Sequence, residues 1–229
     1  MANRLYKKTS SGSSPVKFYK KTSTGQVQCP VYRKTSSGME RIDQTLVTKT
    51  KVISGYAQWN GSFRNSTGTG TAQASYSSLT DRLRIYQGKY SSYHHLGVMC
   101  FKKLFDEARA VGGTITNVKL KLKNLHSYYG AGLGVKVCGA INMPNTRPSS
   151  FSFNDVYSTS YCGTVEFTKG GTKTITLDEL ARKNIENNKI DGFRLLSPTG
   201  FTLSDYGYFE GEGTNRPYIE ITVEYEEWV

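Results

Sequence analysis

The side chains whose types and spacing bear on chemistry in this 229-residue chain are three histidines, four cysteines, a few acids and many tyrosines. His94 and His95 are adjacent. In a strand, neighbouring side chains point to opposite faces, so the pair does not present two nitrogens to one metal ion. Cys29, Cys100, Cys138 and Cys162 form no CxxC pair, and their spacing fits neither a zinc ribbon nor a dense disulfide framework. They are expected to be buried free thiols. Asp205, Glu210 and Glu212 flank an aromatic run and could be read as a glycosidase carboxylate pair. A turn with solvated acids is the plainer reading. No GxSxG, HExxH, Walker or EF-hand pattern occurs, and Gly132-Leu133-Gly134 lacks dinucleotide-site spacing. The expectation is a chain with no catalytic residue, no metal and no cofactor, hence not an enzyme.

Recognition chemistry is better represented. Aromatic faces pack against the C–H faces of sugar rings while nearby polar groups bond the hydroxyls. Tyr90, Tyr93, His126, Tyr128, Tyr129, Tyr206 and Tyr208 fall at loop-like or strand-end positions and are the carbohydrate-binding candidates. The competing reading is that Tyr206 and Tyr208 simply pack on one sheet face, with their hydroxyls bonded at its rim.

The elements that must position these residues read as strands. Val118, Leu120 and Leu122 alternate with Lys119, Lys121 and Lys123. Ile219, Ile221, Val223 and Tyr225 alternate with Glu220, Thr222, Glu224 and Glu226. Period-2 alternation places one face on a core and the other in water. Were these two strands neighbours, the lysine and glutamate faces would be complementary. Further strands are expected at 83–87, 96–101, 134–140, 163–167, 173–177, 193–196 and 205–210. Phe101, Leu104, Phe105 and Ala108 follow helical spacing up to Gly112-Gly113, and Asp178-Glu179 opens a second short helix. Hydrophobic residues are only 37%, with 23 Gly and 16 Tyr, which favours short strands and frequent turns over helices. Aromatics at 12% argue against general disorder. The reading is all-β: a jelly-roll β-sandwich with one or two short helices over 80–229. A Gly/Ser/Thr-rich linker over 52–79, with one or two short strands including 56–59, precedes it.

The N-terminal fifth is different. LYKKTSSG at 5–12 recurs as FYKKTSTG at 18–25 and VYRKTSSG at 31–38, a register of 13 residues. Each copy reads as a short strand, a Ser/Thr-Gly turn and a return, so the segment is three 13-residue β repeats. A unit this small cannot bury a core alone and must stack on neighbours or other chains. Residues 1–51 hold eleven basic side chains and two acids, which is +9 of the total +12. Tyr6, Lys7, Lys8, Tyr19, Lys20, Lys21, Tyr32, Arg33 and Lys34 are the docking candidates: repeated basic strands that add to a partner's sheet or to copies of themselves. Nucleic-acid binding by Lys pairs beside Tyr is the alternative, and a plain solvated arm is the third reading.

YQGKYSS (86–92), LGVMCF (96–101), GGTITNVKLKLKNLHSYY (112–129), GFRL (192–195), YGYFEG (206–211) and RPYIEITVEY (216–225) follow one another in an order that resembles the jelly-roll domain of minor structural and tail-fibre proteins of phages infecting Gram-positive bacteria. More distantly the order is similar to carbohydrate-binding β-sandwich modules. It covers roughly 86–225. The resemblance implies a virion component (fibre, tail, collar or head decoration), often trimeric and assembled in the host cytoplasm. It also implies docking to other virion proteins through residues 1–51 and a surface that meets bacterial polysaccharide. A carbohydrate-binding module without a virion role is the alternative. No apolar run approaches a membrane span, and the basic start lacks the apolar core of a secretory signal, so cytosolic folding without a membrane partner is expected.

Overall fold

The structure, a computed structural model, describes residues 6–9, 12–15, 18–22, 25–41, 46–65, 71–72, 84–91, 93–128, 133–148, 151–152, 157–198 and 206–228. The chain divides into two compact units, Met1–Lys49 with Glu226–Val229, and Thr50–Tyr225.

In the first unit each 13-residue repeat is its own antiparallel hairpin. The pairs are β1 (Tyr6–Thr9) with β2 (Gly12–Pro15), β3 (Phe18–Thr22) with β4 (Gly25–Cys29), and β5 (Tyr32–Thr35) with β6 (Gly38–Arg41). All three share a register: Thr9 faces Gly12, Thr22 faces Gly25, and Thr35 faces Gly38. A loop of two residues therefore joins each pair, the shortest connection a hairpin allows. In the third hairpin Ser36-Ser37 is the turn centre, and in all three the glycine is the first residue of the return strand. Gly38 takes φ of +134°, a conformation that a side chain would strain.

The second unit is all-β and sandwich-like. Its strands are β7 (Leu46–Tyr56, which begins in the first unit), β8 (Trp59–Asn65), β9 (Thr71–Ala72), β10 (Arg84–Tyr90), β11 (Tyr93–Cys100), β12 (Thr114–Ser127), β13 (Leu133–Ala140), β14 (Phe151–Ser152), β15 (Tyr157–Phe167), β16 (Thr172–Thr176), β17 (Gly192–Leu196), β18 (Gly207–Glu210) and β19 (Tyr218–Trp228). Two short helices, α1 (Lys102–Ala110) and α2 (Glu179–Glu186), interrupt them. One curled sheet runs β15-β13-β17-β11-β10-β18-β12-β19-β7, with β16 also on β12 and β8 also on β11.

The curl arises because β11 and β12 each change partner along their length. β11 pairs β10 through His95 and then β17 from Gly97 onward. At the handover Gly97 is obligatory, since a Cβ there would lie 2.4 Å from Ile85 Cγ2. β12 pairs β19 over its first half and β18 over its second. The inward faces make one core. Val118, Leu120 and Leu122 meet Ile219, Ile221 and Val223, all fully buried, under Phe105, Phe193 and Phe209. Each such side chain contributes about 1.5–3 kcal/mol of burial before chain entropy is charged against it. On the outer face Lys119 lies opposite Glu220, with Nζ and Oε1 3.5 Å apart. The complementary pairing expected between these strands is present, though half-exposed pairs of this kind contribute little.

Part of the segment expected to be a linker is sheet, while 66–70 and 73–79 lie outside the described residues. Residues 52–56 belong to β7, and β8 pairs β11 along its whole length. Trp59, Gly61 and Phe63 alternate on one face, where Trp59 and Phe63 join Leu96, Val98 and Met143 in a second buried cluster. Gly61 and Ser62 are buried as well, and the Ser62 Oγ accepts from Tyr86 N at 2.8 Å. Of the short strand expected at 56–59, Tyr56 closes β7, Ala57 and Gln58 form the connection, and Trp59 opens β8. Gln58 in that connection caps a helix: its Oε1 accepts from Lys103 N at 2.6 Å, in the first turn of α1, which has no side-chain cap of its own. α2 is capped by Asp178, whose Oδ1 accepts from Ala181 N at 2.9 Å.

Candidate functional site

Register places the candidate aromatics. In β10, Ile85 and Gln87 point inward, which leaves Arg84, Tyr86 and Tyr90 on the outer face. Tyr86 lies directly opposite Tyr208 of β18, and Tyr208 directly opposite His126 of β12. Residues opposite one another share a face, so these three rings form a ladder across three strands. Their centroids are 5.2 Å and 5.1 Å apart, with His126 and Tyr208 stacked at 14°.

His126 reaches this face only because β12 bulges. By simple alternation it would follow Val118, Leu120, Leu122 and Asn124 to the core. The register shifts between Asn124 and His126, with Leu125 as the extra residue, and the shift turns His126 outward. Asn124 is fully buried and pins the bulge. Its Nδ2 donates to His126 O at 2.9 Å and to Tyr208 O at 3.3 Å, and its Oδ1 accepts from Ser127 Oγ at 3.1 Å.

Tyr206, two residues before Tyr208, extends the face. Its ring lies 4.9 Å from Tyr90, 5.6 Å from His95 and 6.1 Å from His126. Its backbone carbonyl accepts from Tyr128 N at 3.0 Å, so Tyr128 holds this segment through its main chain. Tyr90 is about half exposed, and Tyr93 lies opposite it at the mouth of the β10–β11 turn. The Arg84 guanidinium stands over the Tyr208 ring at 4.7 Å. Tyr129 and Asp205 lie outside the described residues. Five of the seven candidates, His126, Tyr90, Tyr93, Tyr206 and Tyr208, thus share one face. Tyr86, His95 and Arg84 belong to the same cluster and carried no signal of their own in the sequence. They follow from the strand register alone.

The electrostatics suit stacking. Burial, then the positive charges of Lys169 and Arg84, hold the His126 pKa below its ordinary value, so the ring favours its neutral form. Burial, reinforced by Tyr86, Tyr208 and Tyr90, raises the Tyr206 hydroxyl well above its ordinary value and keeps it a donor. Hydrogen bonding with Tyr86 strengthens the charge on Arg84. The face offers ring surfaces bordered by neutral donors and the Arg84 cation.

Of the acids near it, Glu210 accepts from Asn215 N at 3.3 Å and so shapes its own turn. Among the described residues no group of three His, Cys, Asp or Glu side chains is placed to hold a metal ion, and no helix is long and apolar enough to cross a membrane. Cys100, Cys138 and Cys162 are buried and Cys29 is half-buried, and none of the four is in a disulfide.

The docking candidates divide differently. Tyr6, Lys7 and Lys8 lie in β1, Tyr19, Lys20 and Lys21 in β3, and Tyr32, Arg33 and Lys34 in β5, at the same place in each hairpin. Of their side chains, Tyr32 and Lys34 are described and both are exposed. No protein-family model and no curated protein sequence matches the chain.

Proposed function

We propose that the chain is a structural subunit of a phage virion. In this reading the three basic hairpins dock it to other virion proteins or to copies of itself, with a trimer favoured. The sandwich displays a face for polysaccharide of the bacterial surface. The observation that carries the sugar reading is the ladder Tyr86–Tyr208–His126, extended by Tyr206 and Tyr90, on an outer sheet face. The exposed edges of this row make an apolar strip for the C–H groups of a glycan, Tyr90 being its most exposed ring, and Arg84 and His126 supply hydroxyl partners. The docking reading rests on three hairpins of identical register. Two-stranded hairpins are marginal in water by themselves and gain stability from added strands.

The test is a glycan array probed with the full chain beside its Tyr206→Ala and Tyr208→Ala variants. Retention of some bacterial glycans, lost in both variants, supports the reading. Silence across the array, or retention unchanged by the variants, removes the aromatic face as a sugar site. Incorporation into particles by a chain lacking residues 1–51 at the level of the full chain would remove the docking role.

A further inference from the structure

A second concave site lies away from the aromatic ladder. A cavity of about 280 Å³ has Gln58, Trp59, Asn60, Arg147, Glu212 and Arg216 in its lining. Its size is just below the roughly 300–1,000 Å³ of typical small-molecule sites, which is room for one ring rather than an extended chain.

The walls are tied together by the short connection from β7 into β8. Ala57 N donates to Pro217 O at 2.9 Å. Gln58 Nε2 donates to Asn145 O at 3.3 Å, Trp59 Nε1 to Pro144 O at 2.7 Å, and Asn60 Nδ2 to Gly211 O at 2.6 Å. Three distant segments are thus held to one rigid piece, so the cavity exists before any ligand arrives. Its charge is also fixed in place. The Arg216 guanidinium sits 4.3 Å over the Tyr56 ring, and Tyr56 packs edge-on to Tyr218 at 5.3 Å. A stacked guanidinium loses little further freedom when it pairs with an anion. Arg147 and Glu212 line the same cavity beside Arg216. Asn60 is part of the lining, and its Oδ1 is buried and accepts from no group among the described residues.

We infer that this cavity binds a single anionic sugar residue, a hexuronate: the carboxylate pairs with Arg216 and Arg147, and Glu212 accepts from ring hydroxyls. Carboxylate and guanidinium match in planar geometry, and a carboxylate beside them selects a polyol over a bare anion. The inference rests on the saccharide reading above but uses none of the aromatic-face residues.

The experiment is an NMR titration of the ¹⁵N-labelled full chain with glucuronate, glucose and inorganic phosphate, each to about 20 mM, which covers dissociation constants in the millimolar range. Glucuronate is expected to give saturable shifts at the amides of 57–60 and 211–216. Arg216→Gln should weaken it at least tenfold and Arg216→Lys less, while Tyr208→Ala leaves it unchanged. Arg147→Gln is expected to weaken binding similarly. The exposed Arg216 supplies the decisive variant if Arg147→Gln perturbs folding. No saturable shift at these amides, or glucose titrating them equally well, would overturn the inference. Phosphate binding as tightly as glucuronate would also overturn it, by showing an anion hole and not a sugar site. A silent glycan array with these cavity shifts intact would remove the aromatic face and leave the cavity standing. Loss of the cavity shifts alone would do the reverse.

Discussion

Asn124 is the residue on which the aromatic face depends most, although it does not belong to that face. Replacing it with alanine removes three side-chain hydrogen bonds, one buried and two part-buried, the latter to the carbonyls that define the β12 bulge. At about 1 kcal/mol net for each bond, the loss is about 3 kcal/mol. It is larger if either carbonyl stays dry and unpaired. For a unit of this size, about 3 kcal/mol lowers the melting temperature by roughly 6–12 °C. The same substitution releases the constraint that turns His126 outward, so the His126 ring should lose its stacking on Tyr208. Thermal unfolding followed by circular dichroism measures the first effect, and the His126 ring resonances report the second. A melting temperature within about 2 °C of the parent, with the His126 resonances unmoved, would refute the claim that Asn124 pins the bulge.

Three further outcomes are expected. Gly207→Ala should destabilise by about 2 kcal/mol or more, because its Cβ would lie 2.5 Å from His126 O and 2.6 Å from Leu133 Cδ2; an unchanged denaturation midpoint would contradict the β12–β18 register. The Cys100 and Cys162 thiols are pushed up by burial to about 11 and about 12, and burial also raises that of Cys138. A thiol reagent at pH 8 should therefore label Cys29 in the native chain and all four cysteines after denaturation, and rapid native labelling of more than one would count against the packing described. His126 should titrate below the ordinary histidine value, with its midpoint raised in Lys169→Ala, as read by NMR. Because the folded pKa is depressed, the unfolded chain takes up this proton first. The His126 contribution to stability is thus fully present above about pH 6.5 and declines as pH falls through the unfolded value and then the folded one. A midpoint at or above that ordinary value would contradict the environment described.

Much of the frame could be read directly. Period-2 alternation at 118–123 and 219–225 located β12 and β19 and even their complementary charges, because each strand has one dry face and one wet one. The helices followed from their apolar spacing and from Asp178. β8 was hidden because glycine and serine are read as loop formers, whereas here Gly61 and Ser62 are buried strand residues. The alternation of Trp59, Gly61 and Phe63 was the signal that could have found it. The aromatic face was half legible. Tyr206 and Tyr208 announce a shared face by spacing, but His126 joins it only through a one-residue bulge, and alternation points the wrong way there. Tyr86 and His95 belong to the cluster through pairings between distant strands, which local pattern cannot encode. The cavity residues are scattered from Gln58 to Arg216 and meet only when the sheet closes.

That closure also sets an order of events as the chain folds. Each hairpin of the first unit is completed within 13 residues, so its loop closes on the microsecond scale. The cap of α1 is supplied by Gln58, 45 residues before its partner Lys103, and the Asn60 bond to Gly211 spans 151 residues. Contacts of such separation slow folding to milliseconds or longer. The basic arm can therefore take its paired form while the sandwich behind it is still open. The end of α1 nearest Gln58 should be among the last parts to gain protection from hydrogen exchange during refolding.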